Sequence, residues 1–144
     1  MERVNDANLL FGRLLMAALF LTGGIPKALQ GYGGAFAKYL GGQGVPYPEI
    51  VAAVGVGIEV LVPIALILGV FPRLSAVLLI AFVIVATGIA HRFWEFPEAQ
   101  RPNQMNHFLK NIAVIAGLLF YYVSGPGAWV LAGRGTRVGA SEPA

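Results

Sequence analysis

Four long apolar stretches dominate the chain: Asn8 to Leu29, Pro48 to Leu68, Pro72 to Ala90 and Phe108 to Val123. A helix rises 1.5 Å per residue, so roughly 20 residues cross a hydrocarbon core of about 30 Å. Each stretch is close to that length, and the fourth, being short, is expected to begin within Asn106 to Asn111 or to borrow from Ser124 onward. Charged residues make up only 12% of the 144, whereas a soluble domain of this size carries about 25% to keep its surface wet. Together with a mean hydropathy of +0.71, this excludes an ordinary soluble enzyme and makes lipid the solvent for most of the chain. The predicted fold is all-α, an integral membrane bundle of four transmembrane helices occupying residues 1–127. Residues 128–144, with Gly133, Arg134, Gly135, Thr136, Arg137 and Gly139, read as a polar, disordered C-terminal tail.

An even number of spans places both termini on one side. Asn5 and Asp6 ahead of Ala7 read as a helix cap, and with no Ala-x-Ala site after the first apolar run, that run reads as a retained helix rather than a signal peptide. Positive charge does not settle orientation: Arg3, Arg13, Arg73, Arg134 and Arg137 on the terminal side balance Lys27, Lys38, Arg92, Arg101 and Lys110 on the other. Glu49, Glu95 and Glu98 on the far side favour cytoplasmic termini in a bacterial inner membrane. The net charge of +3 is scattered, so no nucleic-acid partner is predicted. The chain has no cysteine, which removes a disulfide framework, a Cys-ligated iron–sulfur cluster and covalently attached c-type haem.

The connections differ in kind. Leu68 to Pro72 is a hairpin too tight for a site of its own. Gln30 to Tyr47 and Arg92 to Asn106 are longer, emerge on one side and mix aromatic with charged residues. Tyr39 and Trp94 fit interfacial anchors or the roof of a pocket. Small residues such as Gly23, Gly24, Gly55 and Gly57 permit close helix contact. Pro26 and Pro63 each leave an upstream carbonyl without its helical partner and can kink the helix near a buried polar group.

Ionisable residues inside the spans need a reason to be there. Glu59 lies near the middle of the second span and Arg13 one turn into the first. An unpaired charge at such depth costs at least about 2.5–3.5 kcal/mol, so each needs a partner, water or, for Glu59, a proton. Spans flush with the membrane make Arg13 the preferred partner of Glu59, with Lys27 the alternative. Arg13, Phe20 and Lys27 share one stripe of the first span; Gly55, Glu59 and Pro63 share one on the second. His107, Lys110, Asn111 and Val114 follow helical spacing on the fourth. Lys27, His91, His107, Lys110 and Asn111 are therefore expected to converge at one depth beneath Trp94, Glu95, Asn103 and Gln104, either as a clamp that fixes helix ends or as a binding or redox site.

No compact metal-ligand motif is present, although His91, Glu95 and His107 are chemically permitted as ligands, and two histidines at one membrane edge suit a haem poorly. No metal is predicted. The segments Gly12-Arg13-Leu14-Leu15, Gly23-Gly24-Ile25-Pro26-Lys27, Gly57-Ile58-Glu59-Val60-Leu61, His91-Arg92-Phe93-Trp94-Glu95 and His107-Phe108-Leu109-Lys110-Asn111, with Arg73 and Asn103-Gln104 between them, resemble the DoxX family of small four-helix bacterial membrane proteins over residues 8–127. That resemblance implies a link to membrane redox processes, among them a thiosulfate:quinone oxidoreductase subunit, and transfers no catalytic residue.

Three functions fit these features. The first is a quinone-binding or quinone-linked oxidoreductase subunit. Its hydrogen-bonding and docking groups would be Arg13, Lys27, Trp94, Lys110 and Asn111, and proton exchange would fall to Glu59, His91, Glu95 and His107. With no redox centre of its own, it would draw electrons from a protein partner or a diffusible reductant. The second is a small proton-coupled transporter built on Glu59, working as a homodimer because four helices enclose little volume. The third is a scaffold that recruits redox enzymes.

Overall fold

The computed structural model describes residues 2–31 and 34–131. Five α-helices follow in order: α1 (Glu2–Leu29), α2 (Ala35–Gly42), α3 (Pro48–Leu68), α4 (Pro72–Ala90) and α5 (Arg101–Ser124), with a single 3₁₀ turn at Phe93–Glu95 before α5. α1, α3, α4 and α5 are long and apolar enough to cross a membrane. They form an up-and-down bundle in which α3 packs on α1 and on α4, and α4 packs on α5. Their shared core is Ala17 and Phe20 of α1, Leu66 of α3, Ala76, Leu79 and Val83 of α4, and Val114, Leu118 and Tyr121 of α5. The outward faces keep Leu15, Leu61, Ile84 and Phe120 exposed, the arrangement expected where the solvent is lipid.

Local chemistry sets the ends. Prolines start α3, α4 and α5, where the missing N–H has no helical partner to lose. Gly69, at φ 70°, ends α3 in the left-handed region and turns the chain into α4 within three residues. The fourth crossing gains its length upstream, reaching back to Arg101 so that Asn103, Gln104 and Asn106 become its first turns.

Two expectations change. The connection Gln30 to Tyr47 contains α2, whose Ala37 and Leu40 are buried against Ala52 of α3. α1 also begins at Glu2, so Asn5 and Asp6 lie inside a helix of 28 residues instead of capping it. Asp6 does other work, accepting a hydrogen bond at 2.8 Å from the Ala128 amide. Beyond α5 the chain turns back: Ala128 is held by Asp6, and the Leu131 amide donates to the Leu68 carbonyl at 2.9 Å. This strap consists of the first residues assigned to the tail. Gly133 to Gly139, including Arg134 and Arg137, lie outside the described residues.

Candidate functional site

The polar side chains gather in three places. At the first, Lys27 of α1 donates to both carboxylate oxygens of Glu59 at 2.9 and 2.7 Å. The partner anticipated from the sequence was Arg13, and the register between α1 and α3 explains the difference. Compared with spans set flush at Asn8 and Leu68, α1 stands roughly 9 Å further out on the terminal side, which puts Arg13 level with Ile67 and sets Gly23 opposite Glu59. A Cβ on Gly23 would lie 2.6 Å from Glu59 Oε1 and 3.8 Å from Lys27 Nζ. Lys27 is one turn further on, and a helical side chain leans back over the preceding turn, so its ammonium settles in the gap that Gly23 leaves. Phe36 of α2 covers it, with the ammonium 4.9 Å from the ring centroid. The carboxylate side chain is 8% exposed and the lysine 32%. The pair is thus buried on the acidic side and reaches water or headgroups on the basic side.

Pro63 sharpens this junction. It has no N–H for the carbonyl of Glu59, four residues earlier, and that freed oxygen faces α1, 3.1 Å from where a Gly24 Cβ would stand. Two consecutive glycines therefore accept the two ends of one residue: Gly23 its carboxylate, Gly24 its backbone.

At the second place, on the same side of the bundle, His91 at the end of α4 and His107 in α5 stack with centroids 4.9 Å apart and planes inclined 16°. His91 Nδ1 lies 2.8 Å from Gln104 Oε1; with that oxygen accepting, the ring carries its proton on Nδ1 and leaves Nε2 as a lone pair. One turn deeper Asn111 donates to Thr87 Oγ1 at 2.8 Å, and Thr87 donates to the Val83 carbonyl at 2.6 Å. Above, Phe93, Trp94 and Phe108 meet edge to face at 5.1–6.1 Å. Arg92 pairs with Glu95 at 3.1 Å in an exposed position.

Of the residues expected at one depth, His91, His107 and Asn111 gather with Gln104. Lys27 is drawn to Glu59, Lys110 is exposed, and Glu95 pairs with Arg92. Parallel rings at this spacing leave no room for a macrocycle between them. No group of three or more His, Cys, Asp or Glu that could hold a metal occurs among the described residues.

The third place is at the opposite end. Arg13 is 2% exposed; Nη1 donates to the Ile67 carbonyl at 3.2 Å and Nη2 to the Trp129 carbonyl. It therefore ties the last turn of α3 to the strap, at the helix end where the macrodipole favours a cation. Gly69 makes room, since a Cβ there would stand 2.5 Å from Nη1. Arg13 and Tyr121 border a cavity of about 230 Å³ between α1 and α5.

Sequence reasoning placed Gln104 beside the histidines but missed Thr87, Phe36, Tyr121 and the Trp129 carbonyl. Two had a signal. Tyr121 continues the stripe of His107 and Val114 at seven-residue spacing, and Thr87 sits one turn before His91.

Residues 8–92 match the DoxX family. The chain is 34% identical over 121 residues to the inner membrane protein YphA of Escherichia coli (strain K12), covering 83% of this chain and 84% of that one. It is 28% identical over 129 residues to the inner membrane protein YqjF of the same organism, covering 90% and 92%. No solved structure matches. A family match over more than half the sequence, a relative aligned along most of both lengths and a bundle of four membrane-spanning helices agree: the chain belongs to the DoxX family of membrane proteins.

Proposed function

We propose that the chain is a ligand-binding subunit of a redox system in the bacterial inner membrane, and that the His91–His107 end of the bundle docks a quinone or a similar membrane-dissolved carrier. The observation that carries this reading is the contact between His91, Gln104 and His107 beneath the aromatic roof of Phe93, Trp94 and Phe108. Quinone carbonyls need hydrogen-bond donors and their reduced oxygens need protons; imidazoles titrate in the useful range. Trp94, 56% exposed, and Phe108 offer an apolar face for the ring, while Lys110 stands ready as an outer donor. A partner protein or diffusible reductant supplies the electrons. The family resemblance and the inner-membrane relatives support the same setting.

The test is titration of purified protein with a short-chain ubiquinone analogue, with quinone reduction followed in the presence of copurifying partners. Lys110→Met keeps the apolar stem and removes the donor, so affinity should fall several-fold while the protein still accumulates. His107→Gln keeps hydrogen bonding and removes titration, so turnover should fall further than affinity. Unchanged affinity in both variants would overturn the reading.

A second reading, a small proton-coupled transporter, draws on the buried Glu59 carboxylate. It requires ligand-dependent proton uptake in proteoliposomes that Glu59→Gln abolishes. A scaffold that recruits redox enzymes predicts copurifying enzymes and no ligand response in either assay.

A further inference from the structure

Arg13 holds its charge at 2% exposure, and among the described residues no carboxylate meets it. The ion pairs there are Lys27–Glu59 and Arg92–Glu95. Two backbone carbonyls take its Nη atoms, but its Nε is buried without an acceptor, and the hydroxyl of Tyr121, 9% exposed, is buried without a partner as well. A buried donor left unmade costs about 1–3 kcal/mol, more when charged. Arg13 and Tyr121, the residues that carry these two donors, border one cavity, so an incomplete hydrogen-bond set with a net positive charge lies in its wall.

The cavity says what completes it. It lies on the α1–α5 seam, the loosest of the neighbouring helix contacts in the bundle, and is walled chiefly by apolar groups such as Met16 of α1 and Leu118 of α5, with polar Asn8 and Ser124 at the terminal end. Two glycines face it: a Cβ on Gly12 would meet nothing within 4 Å, and one on Gly117 would meet only the mobile end of Met16 at 3.0 Å. Its volume of about 230 Å³ is below the range of about 300–1,000 Å³ typical for enclosing a whole small molecule. It suits a headgroup and the first part of a chain whose remainder lies outside, along the seam.

We infer that this cavity binds the oxyanion head of a membrane amphiphile, a phosphate or carboxylate that accepts from Arg13 Nε and the Tyr121 hydroxyl while its acyl chain runs past Met16 between α1 and α5. The site is separate from the histidine end and does not depend on it.

Native mass spectrometry of the delipidated full chain in neutral detergent tests this. The probes are phosphatidylglycerol against diacylglycerol of the same chains, oleate against oleyl alcohol, and inorganic phosphate alone. Phosphatidylglycerol or oleate should bind at least tenfold more tightly than its neutral counterpart, and inorganic phosphate at least tenfold more weakly than either. Tyr121→Phe, which keeps the ring, should weaken binding by about tenfold. Gly12→Leu, which fills the cavity and keeps Arg13 in the sequence, should abolish it, and His107→Gln should leave it unchanged. Equal binding of the charged and neutral amphiphiles, phosphate binding as tight as the lipid, or unchanged affinity in both Tyr121→Phe and Gly12→Leu would each overturn the assignment.

Discussion

Gly23 and Gly24 make the room in which Glu59 meets Lys27. An alanine at Gly23 drives a methyl into the carboxylate, 2.6 Å from Oε1, and its cost should be on the order of 1–3 kcal/mol. That penalty should shrink when Lys27→Met and Glu59→Gln are already present, as thermal unfolding in detergent would show. Gly24→Ala meets a backbone carbonyl that cannot swing aside, so its penalty should persist in the same background. Removing Glu59 alone should cost on the order of 2 kcal/mol, less than the 3–5 kcal/mol for a fully buried pair, because Lys27 keeps partial access to solvent. The cycle of Lys27→Met with Glu59→Gln should show coupling of about 1–2 kcal/mol; that of Arg13→Met with Glu59→Gln should show none. A coupled Arg13 and uncoupled Lys27 would contradict this pairing. The need for a partner at Glu59 was legible from the sequence, since a charge at that depth cannot stand alone. The partner's identity was not, because it depends on how far α1 slides along α3, and an apolar pattern fixes where a helix is greasy but not where it begins.

At the scale of helices, the four crossings could be read almost directly from hydropathy, because a lipid-facing segment must be apolar all round and continuous. α2 escaped that reading. Eight residues bounded by glycines, with only Ala37 and Leu40 fully buried, do not make a strong period, and its order comes from packing on Ala52 rather than from its own propensity. The polar start of α5 escaped for the opposite reason, since Asn103 and Gln104 lower the hydropathy while their turns still pack beside α4. Asn111 and Thr87 form a partly buried side-chain bond between these two helices. Thr87→Val should leave Asn111 without its acceptor and lower stability by about 1–3 kcal/mol, whereas Thr87→Ser should cost less than 1 kcal/mol. Equal losses for the two variants would assign the effect to packing instead.

For the described residues as a whole, four crossings put the start of α1 and the strap on one face and the residues around α2, Trp94 and Gln100 on the other. A periplasm-active reporter after Gln100 and a cytoplasm-active reporter after Ala144 should both give signal if the termini are inside; the inverse pattern would reverse the orientation and keep the four crossings. Arg13 adds a consequence in time. Its acceptors, Ile67 and Trp129, are 54 and 116 residues downstream, and at roughly 5–20 residues per second the ribosome delivers Trp129 roughly 6–23 s after the arginine has emerged. The first helix must wait with its cation lacking first both acceptors and then one, and a segment made late in synthesis closes the clasp. Chains stopped at Ser124 should therefore insert but be cleared quickly by membrane proteases, and Arg13→Leu in that shortened chain should lengthen their lifetime in a pulse-chase. Quality control of this bundle would then monitor whether translation reached the strap.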